Sequence, residues 1–245
     1  MSGAELIAVL LAVSAGALVK SVTGMGLPLV AIPVLAAFVG IEDAVVILSL
    51  PNLLANAYLV HRHRAGRSEA PPLGRFVVAG VVGTVVGVLL LSVLSETVLT
   101  VALAVAVFGY IGWRLRWPEA QMSGRLARRI APGAGAVAGV FQGAIGVSGP
   151  IVVSYVHALR PPRAGHLFSV TGLFFVINAT QFIGLIGTGL LTGDRFLGSL
   201  VASVPVMAAT LGGSRLGDRL GRVAFDRAVL ATLGGAGVVL VIELF

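Results

Sequence analysis

Apolar runs alternate with short charged stretches along most of the chain. Those over 43–61, 76–95, 97–113, 167–188, 196–214 and 228–244 carry little or no charge. Each can cross about 30 Å of hydrocarbon as an α-helix, at roughly 20 residues per crossing. The strict polar–apolar alternation of an outer-membrane barrel strand is absent, so the runs read as helices, whose backbone groups are satisfied within the segment. Two further runs, 27–39 and 150–159, are too short to cross. Each follows a longer Gly/Ala-rich segment, 4–22 and 130–145, from which glycines and a proline separate it. Such pieces suit broken or re-entrant helices, which survive at membrane depth only where protein buries them or a wet cavity borders them.

The two interruptions recur within an internal repeat. One slide of the chain on itself superposes Gly24 on Gly146, Pro28 on Pro150, Ser49 on Thr171 and Asn56 on Asn178. A slightly longer slide matches Gly83 to Gly213, Gly87 to Gly217 and Glu96 to Asp226. Residues 1–113 and 130–245 therefore read as two copies of one unit, joined by a polar linker at 114–129. The loop "HRHRAGR" of the first copy is basic and its counterpart "GTGLLTGDR" is not, whereas the loop at Glu96 is acidic and its counterpart around Asp226 is arginine-rich. Opposite loop charge implies opposite orientation. The expected fold is an all-α polytopic membrane protein of two inverted repeats, each a broken or re-entrant helical hairpin plus about three transmembrane helices. Paired interruptions in inverted repeats point to a secondary transporter whose site lies near the midplane. Close helix packing by glycine is the alternative reason for the same residues.

Charge sets the topology. Arginines cluster at Arg62, Arg64, Arg67 and Arg75, at Arg114, Arg116, Arg125, Arg128 and Arg129, at Arg160 and Arg163, and at Arg215, Arg219, Arg222 and Arg227. The alternate loops carry Glu42, Asp43, Glu96 and Asp194, with Arg195 as their one base. Under the positive-inside rule every cluster, including the linker, is cytoplasmic at once, and only Arg195 and Lys20 stand apart. The net charge of +7 thus reflects topology, and no nucleic-acid partner is expected. Hydrophobic residues at 57% and charged residues at 11% lie outside the range of soluble domains. The N-terminal run lacks a basic n-region and reads as a first membrane helix rather than a signal peptide. The expected location is the inner membrane, multi-pass, with both termini outside.

The segments "TGMGLPLVAIPVL" and "IGVSGPIVVSYV", with "GTVVG" and "GGSRLG" late in each half, resemble the sulfite exporter TauE/SafE family of permeases. The likeness runs over essentially the whole chain. It implies movement of a small organic or sulfur-containing anion such as sulfite, a sulfonate or sulfoacetate, by export in many members. The chain departs from the more glycine-rich family runs at Leu27 and Ser148.

The residues themselves also suggest an anion site. A helix that starts after an interruption presents free backbone N–H groups and the positive end of its dipole. Gly24, Gly26, Gly146 and Gly149 let the backbone approach a ligand, and the Thr23 and Ser148 hydroxyls lie beside them. Lys20, the sole lysine, sits one turn before the first interruption. It either neutralises a bound anion or extends its ammonium to the membrane interface. Its repeat partner Gln142 donates hydrogen bonds without charge. Asn56 and Asn178 are mid-helix amides at matching positions, with Asn52, Thr171 and Gln181 nearby on helical spacing; they line the site or bond helices together. No carboxylate falls mid-span, so the usual proton or sodium relay is missing. His61 and His63 alternate with arginines in a loop, whereas His157 and His166 flank the turn at Arg160 and Arg163, where a proton-sensing role is open. There is no cysteine, no metal-ligand spacing and no catalytic set. The expectation is an anion carrier and not an enzyme, exporting its substrate, with import of a small carboxylate or sulfonate as the runner-up and an anion channel third, and with no metal and no cofactor. Its partners are a small anionic substrate and the lipid bilayer, with a homodimer left open.

The topology can be read with single cysteines at Ser2, Ser68 and Ser123 and an impermeant thiol reagent in intact cells. Ser2→Cys should label while the other two stay protected. Labelling of Ser68→Cys or Ser123→Cys without Ser2→Cys would contradict the inverted arrangement.

Overall fold

The computed structural model describes residues 3–23, 26–116 and 124–216, and all regular structure among them is helical. The helices are α1 (Gly3–Thr23), α2 (Leu27–Val39), α3 (Ile41–Arg62), α4 (Gly74–Val93), α5 (Glu96–Arg116), α6 (Gly124–Ile145), α7 (Gly149–Ala158), α8 (Arg163–Gly187) and α9 (Gly193–Leu216), with a 3-10 turn at Arg64–Glu69. Helices α3, α4 and α8, and Gly193–Ser214 of α9, are long and apolar enough to cross a membrane. Helix α5 runs over the expected span at 97–113, and the run at 228–244 lies outside the described residues. The chain is an all-α polytopic membrane protein. On α4 the outward face carries exposed Val78, Val82, Val85, Val86, Leu89 and Val93, an apolar surface that suits lipid and would be a liability in water.

Both short runs are separate helices behind a glycine. Gly26 (φ 129°) precedes α2 and Gly146 (φ 70°) precedes the turn into α7, a backbone conformation open to glycine at little cost. Pro28 and Pro150 occupy the first turns of α2 and α7, where their missing N–H groups cost nothing. A Cβ on Gly146 would collide with Ile32 Cδ1, so α2 closes directly over the second interruption.

The two hairpins enter from opposite ends. Helix α2 runs to Gly40 and the first turn of α3, which holds Glu42 and Asp43. Helix α7 runs instead to the turn holding Arg160 and Arg163. Helices α3 and α8 are antiparallel neighbours, since Gly172 faces Val60 while Asn52 bonds Asn178 further along. Arg195, at the start of α9, pairs with Glu42 (2.8 Å) and Asp43 (2.5 Å) at the start of α3. The molecule thus has an acidic end and a basic end, with the interruptions between them.

Glycine sets the tightest contact. Cβ atoms at Gly83 and Gly87 of α4 would strike the carbonyl oxygens of Ala136 and Val140, and those at Gly139 and Gly143 of α6 would strike those of Gly80 and Thr84. The two backbones therefore meet directly, as small residues allow in membranes. Helix α7 is anchored beside this pair: Tyr155 donates its hydroxyl to the Ala127 carbonyl (3.1 Å), and its ring lies 4.7 Å from that of Phe76.

Candidate functional site

Lys20 is 1% exposed. Its side chain does not extend to an interface: the ammonium donates to Asn52 Oδ1 and lies 5.6 Å from the centroid of the Phe174 ring. Among the described residues it has no carboxylate partner. Isolated charge at mid-membrane depth is rare, faces the bundle interior and marks a ligand path. Lys20 reaches this position because α1 ends near the bundle centre, one turn beyond it, where the first interruption begins.

From Lys20 a chain of amides crosses the bundle. Asn52 Nδ2 donates to Asn178 Oδ1 at 2.6 Å. Gln142 Nε2 donates to Asn178 Oδ1 at 3.2 Å and to Gln181 Oε1 at 2.8 Å. Ser148 Oγ donates to Gln142 Oε1 at 2.6 Å, while Gln181 Nε2 and Asn178 Nδ2 each donate at 2.7 Å to the carbonyls of Gln142 and Phe174. Each of these residues is buried. The chain has a polarity: every amide oxygen in it already accepts a hydrogen bond, whereas N–H donors remain on Lys20, Asn52, Asn178 and Gln181. The first turns of α2 and α7 add few N–H groups, since Pro28 and Pro150 carry none and Val30 and Ile151 donate to the carbonyls of Gly26 and Ser148. A ligand here meets a positive charge and amide N–H donors, beside amide oxygens that are each already engaged by at least one donor.

Both interruptions border this cluster. Gly26, Pro28 and Leu29 on one side and Val147, Ser148 and Gly149 on the other enclose, with Lys20, Asn52, Gln142 and Phe174, a cavity of about 10 Å³. That volume takes about one water-sized sphere. A polyatomic ion needs more room than that. A larger cavity of about 310 Å³ lies beyond Val147 between α5, α6 and α7, but Phe141, Pro150 and Ile151 make its walls apolar. Among the described residues Ser154 is its single polar side chain, and an anion would be poorly solvated there.

The expected residues are thus divided. Lys20, Gln142, Ser148, Asn178 and Gln181 form one hydrogen-bonded group, and Gly26 and Gly149 border its cavity. Gly146 shapes the turn beneath Ile32 and does not line that cavity. Gly24 and the Thr23 side chain lie outside the described residues. Asn56 is buried without a hydrogen-bonding partner and stands outside the group; its place opposite Asn178 is taken by Asn52, one turn away on α3. Thr171, like Ser49, returns its hydroxyl to its own helix. Phe174 was not legible beforehand, although its spacing one turn from Asn178 puts it on the same face.

With this geometry in place, the sequence matches the family Sulfite exporter TauE/SafE over residues 8–240. The chain belongs to that family. No curated protein and no solved structure matches it. Membership of TauE/SafE makes it a membrane transporter. The Lys20 cluster, placed where both interruptions meet, is the strongest candidate for the region of this TauE/SafE protein that handles the transported ion.

The interdependence of Lys20 and Asn52 is measurable by thermal unfolding in detergent. Asn52→Leu leaves the ammonium without its hydrogen bond and should destabilise by about 1.5–3 kcal/mol. Adding Lys20→Met should recover most of that loss, because the buried charge is gone. Additive losses in the double variant would show that the two side chains act independently.

Proposed function

We propose that this transporter carries a small sulfur-containing oxyanion, sulfite or a short sulfonate such as sulfoacetate, out across the inner membrane. The anion is held near mid-depth between the starts of α2 and α7. The observation that carries this reading is the donor surplus around a buried ammonium with no carboxylate partner among the described residues. Sulfite and sulfonate oxygens accept hydrogen bonds from several directions, which matches donors converging from α1, α3 and α8. Family membership supports the sulfur-anion class, since the family's description is that of sulfite exporters.

Residues 1–113 and 130–245 act in this reading as inverted copies joined by a cytoplasmic linker. The packing supports it: α1 lies on α9 as α6 lies on α4, and α3 lies on α9 as α8 lies on α4. Inversion lets one hairpin reach the site from each side, which suits alternating access. Export follows from energetics. An anion leaving a cell with a negative interior gains about 2.3 kcal/mol per charge per 100 mV, and among the described residues the cluster has no carboxylate to couple a proton or sodium ion. The transporter therefore runs as a uniporter.

Flux in proteoliposomes tests charge, direction and coupling together. Sulfite or sulfoacetate flux should follow a potassium–valinomycin potential without a pH or sodium gradient. Lys20→Met should abolish it, and Lys20→Arg should retain part of it with poorer fit. Flux indifferent to the potential but dependent on a pH or sodium gradient would overturn uniport. Wild-type flux in Lys20→Met would remove the lysine from the site.

A further inference from the structure

The apolar cavity of about 310 Å³ between α5, α6 and α7 is open at the surface of the bundle, where Val105 and Gly109 are exposed. Glycine keeps it open, since a Cβ on Gly109 or Gly112 would meet nothing. On α5 the same face continues at helical spacing from Val105 through Gly109 and Gly112 to Arg116. On α7 it runs from Pro150 through Ser154 toward the helix end at Ala158, two residues before Arg160. Glu96 accepts a hydrogen bond from the Ile41 N–H at the acidic end (3.1 Å), so α5, like α7, runs to the basic end. The bond from Tyr155 to the Ala127 carbonyl sets Arg128 of α6 level with the last turn of α7. Arg116, Arg128 and Arg160 are all exposed, and each wall of the groove thus ends in a base. Helices α6 and α7 contain no acid, and Glu96, the one acid of α5, is at the far end.

We propose that this groove binds an anionic phospholipid of the leaflet at the basic end, with an acyl chain along Phe141 and Pro150 and the phosphate among Arg116, Arg128 and Arg160. The depth fits. From Val105 to Arg116 helix α5 rises about 16 Å, and one leaflet supplies about half of the 30 Å of hydrocarbon. The chemistry fits as well. Apart from Ser154 the described lining side chains are apolar, which suits a hydrocarbon chain, whereas basic pockets between transmembrane helices take anionic headgroups. A zwitterionic lipid would fill the same walls without drawing on the bases.

The groove adjoins the candidate anion site, because Val147 lines both cavities. A bound acyl chain therefore lies against the start of α7, on the far side of Val147 from Lys20, and resists displacement of that helix start. Lipid binding itself requires nothing of the transported ion, so it is tested apart from the anion reading.

Native mass spectrometry of the full-length, delipidated protein in detergent reads lipid retention directly. Dioleoyl phosphatidylglycerol should be held more tightly than dioleoyl phosphatidylcholine, and excess glycerol 3-phosphate should not displace it, since the headgroup alone lacks the chain. Gly109→Phe fills the groove and should weaken phosphatidylglycerol retention by about tenfold, the loss expected when about two methylenes leave apolar contact. Its melting temperature in lipid-free detergent should match the wild type, because the space it enters is empty. Arg116→Gln, Arg128→Gln and Arg160→Gln should each weaken phosphatidylglycerol retention by about fivefold and leave phosphatidylcholine retention unchanged. Equal retention of the two lipids by the wild type, displacement by glycerol 3-phosphate, or full retention in Gly109→Phe would overturn the proposal. So would a disulfide joining Gly109→Cys to Val238→Cys in this cysteine-free chain, which would give the groove to the chain's own run at 228–244.

Discussion

A lone ammonium at the centre of a membrane bundle constrains everything around it. Lys20 cannot reach water, and no carboxylate among the described residues neutralises it, so its charge is held by an amide oxygen and an aromatic face. Inserting such a charge at the helix centre costs about 2.5–3.5 kcal/mol on translocon scales, and the amide chain from Asn52 to Gln181 offsets part of that. An acid at Asn52 would satisfy the lysine fully and cancel its attraction for an anion. The arrangement keeps the ammonium tethered but not neutralised, as a carrier that must also release its ligand requires.

That constraint explains the architecture. A polar centre needs helix ends there, because continuous helices expose no backbone donors to a ligand. Two hairpins provide the ends, and glycines let them approach. The direct backbone contact of α4 with α6 and the cover of Ile32 over Gly146 leave little free volume, so the cavity between the helix starts is small. In the proposed site, accepting an anion would require the hairpins to move.

Much of this was legible in the sequence. Glycine and proline marked both interruptions because few other residues tolerate those backbone positions, and duplication separated them from ordinary packing glycines. Duplication also picked out Gln142 as the counterpart of Lys20. Less accessible was which asparagine meets Asn178. The repeat aligns Asn56 with it, but contact across helices follows crossing geometry rather than alignment, and α3 presents Asn52. Phe174 was hidden because an aromatic in an apolar run looks like any other core residue. Arg195 was the exception to the positive-inside pattern; its pairing with Glu42 and Asp43 gives the physical reason, since their carboxylates neutralise it where it stands. Burial removes the interface role that the sequence left open for Lys20.

The most direct measurement of the central claim is the position of the bound anion. Selenite mimics sulfite and scatters anomalously at the selenium edge, so crystals soaked in it report its place without assumption about transport. The account requires an anomalous peak between Lys20 Nζ and the start of α7 at Gly149, lost in Lys20→Met. Selenium found only among the exposed arginines of the basic end, with none beside Lys20, would contradict it.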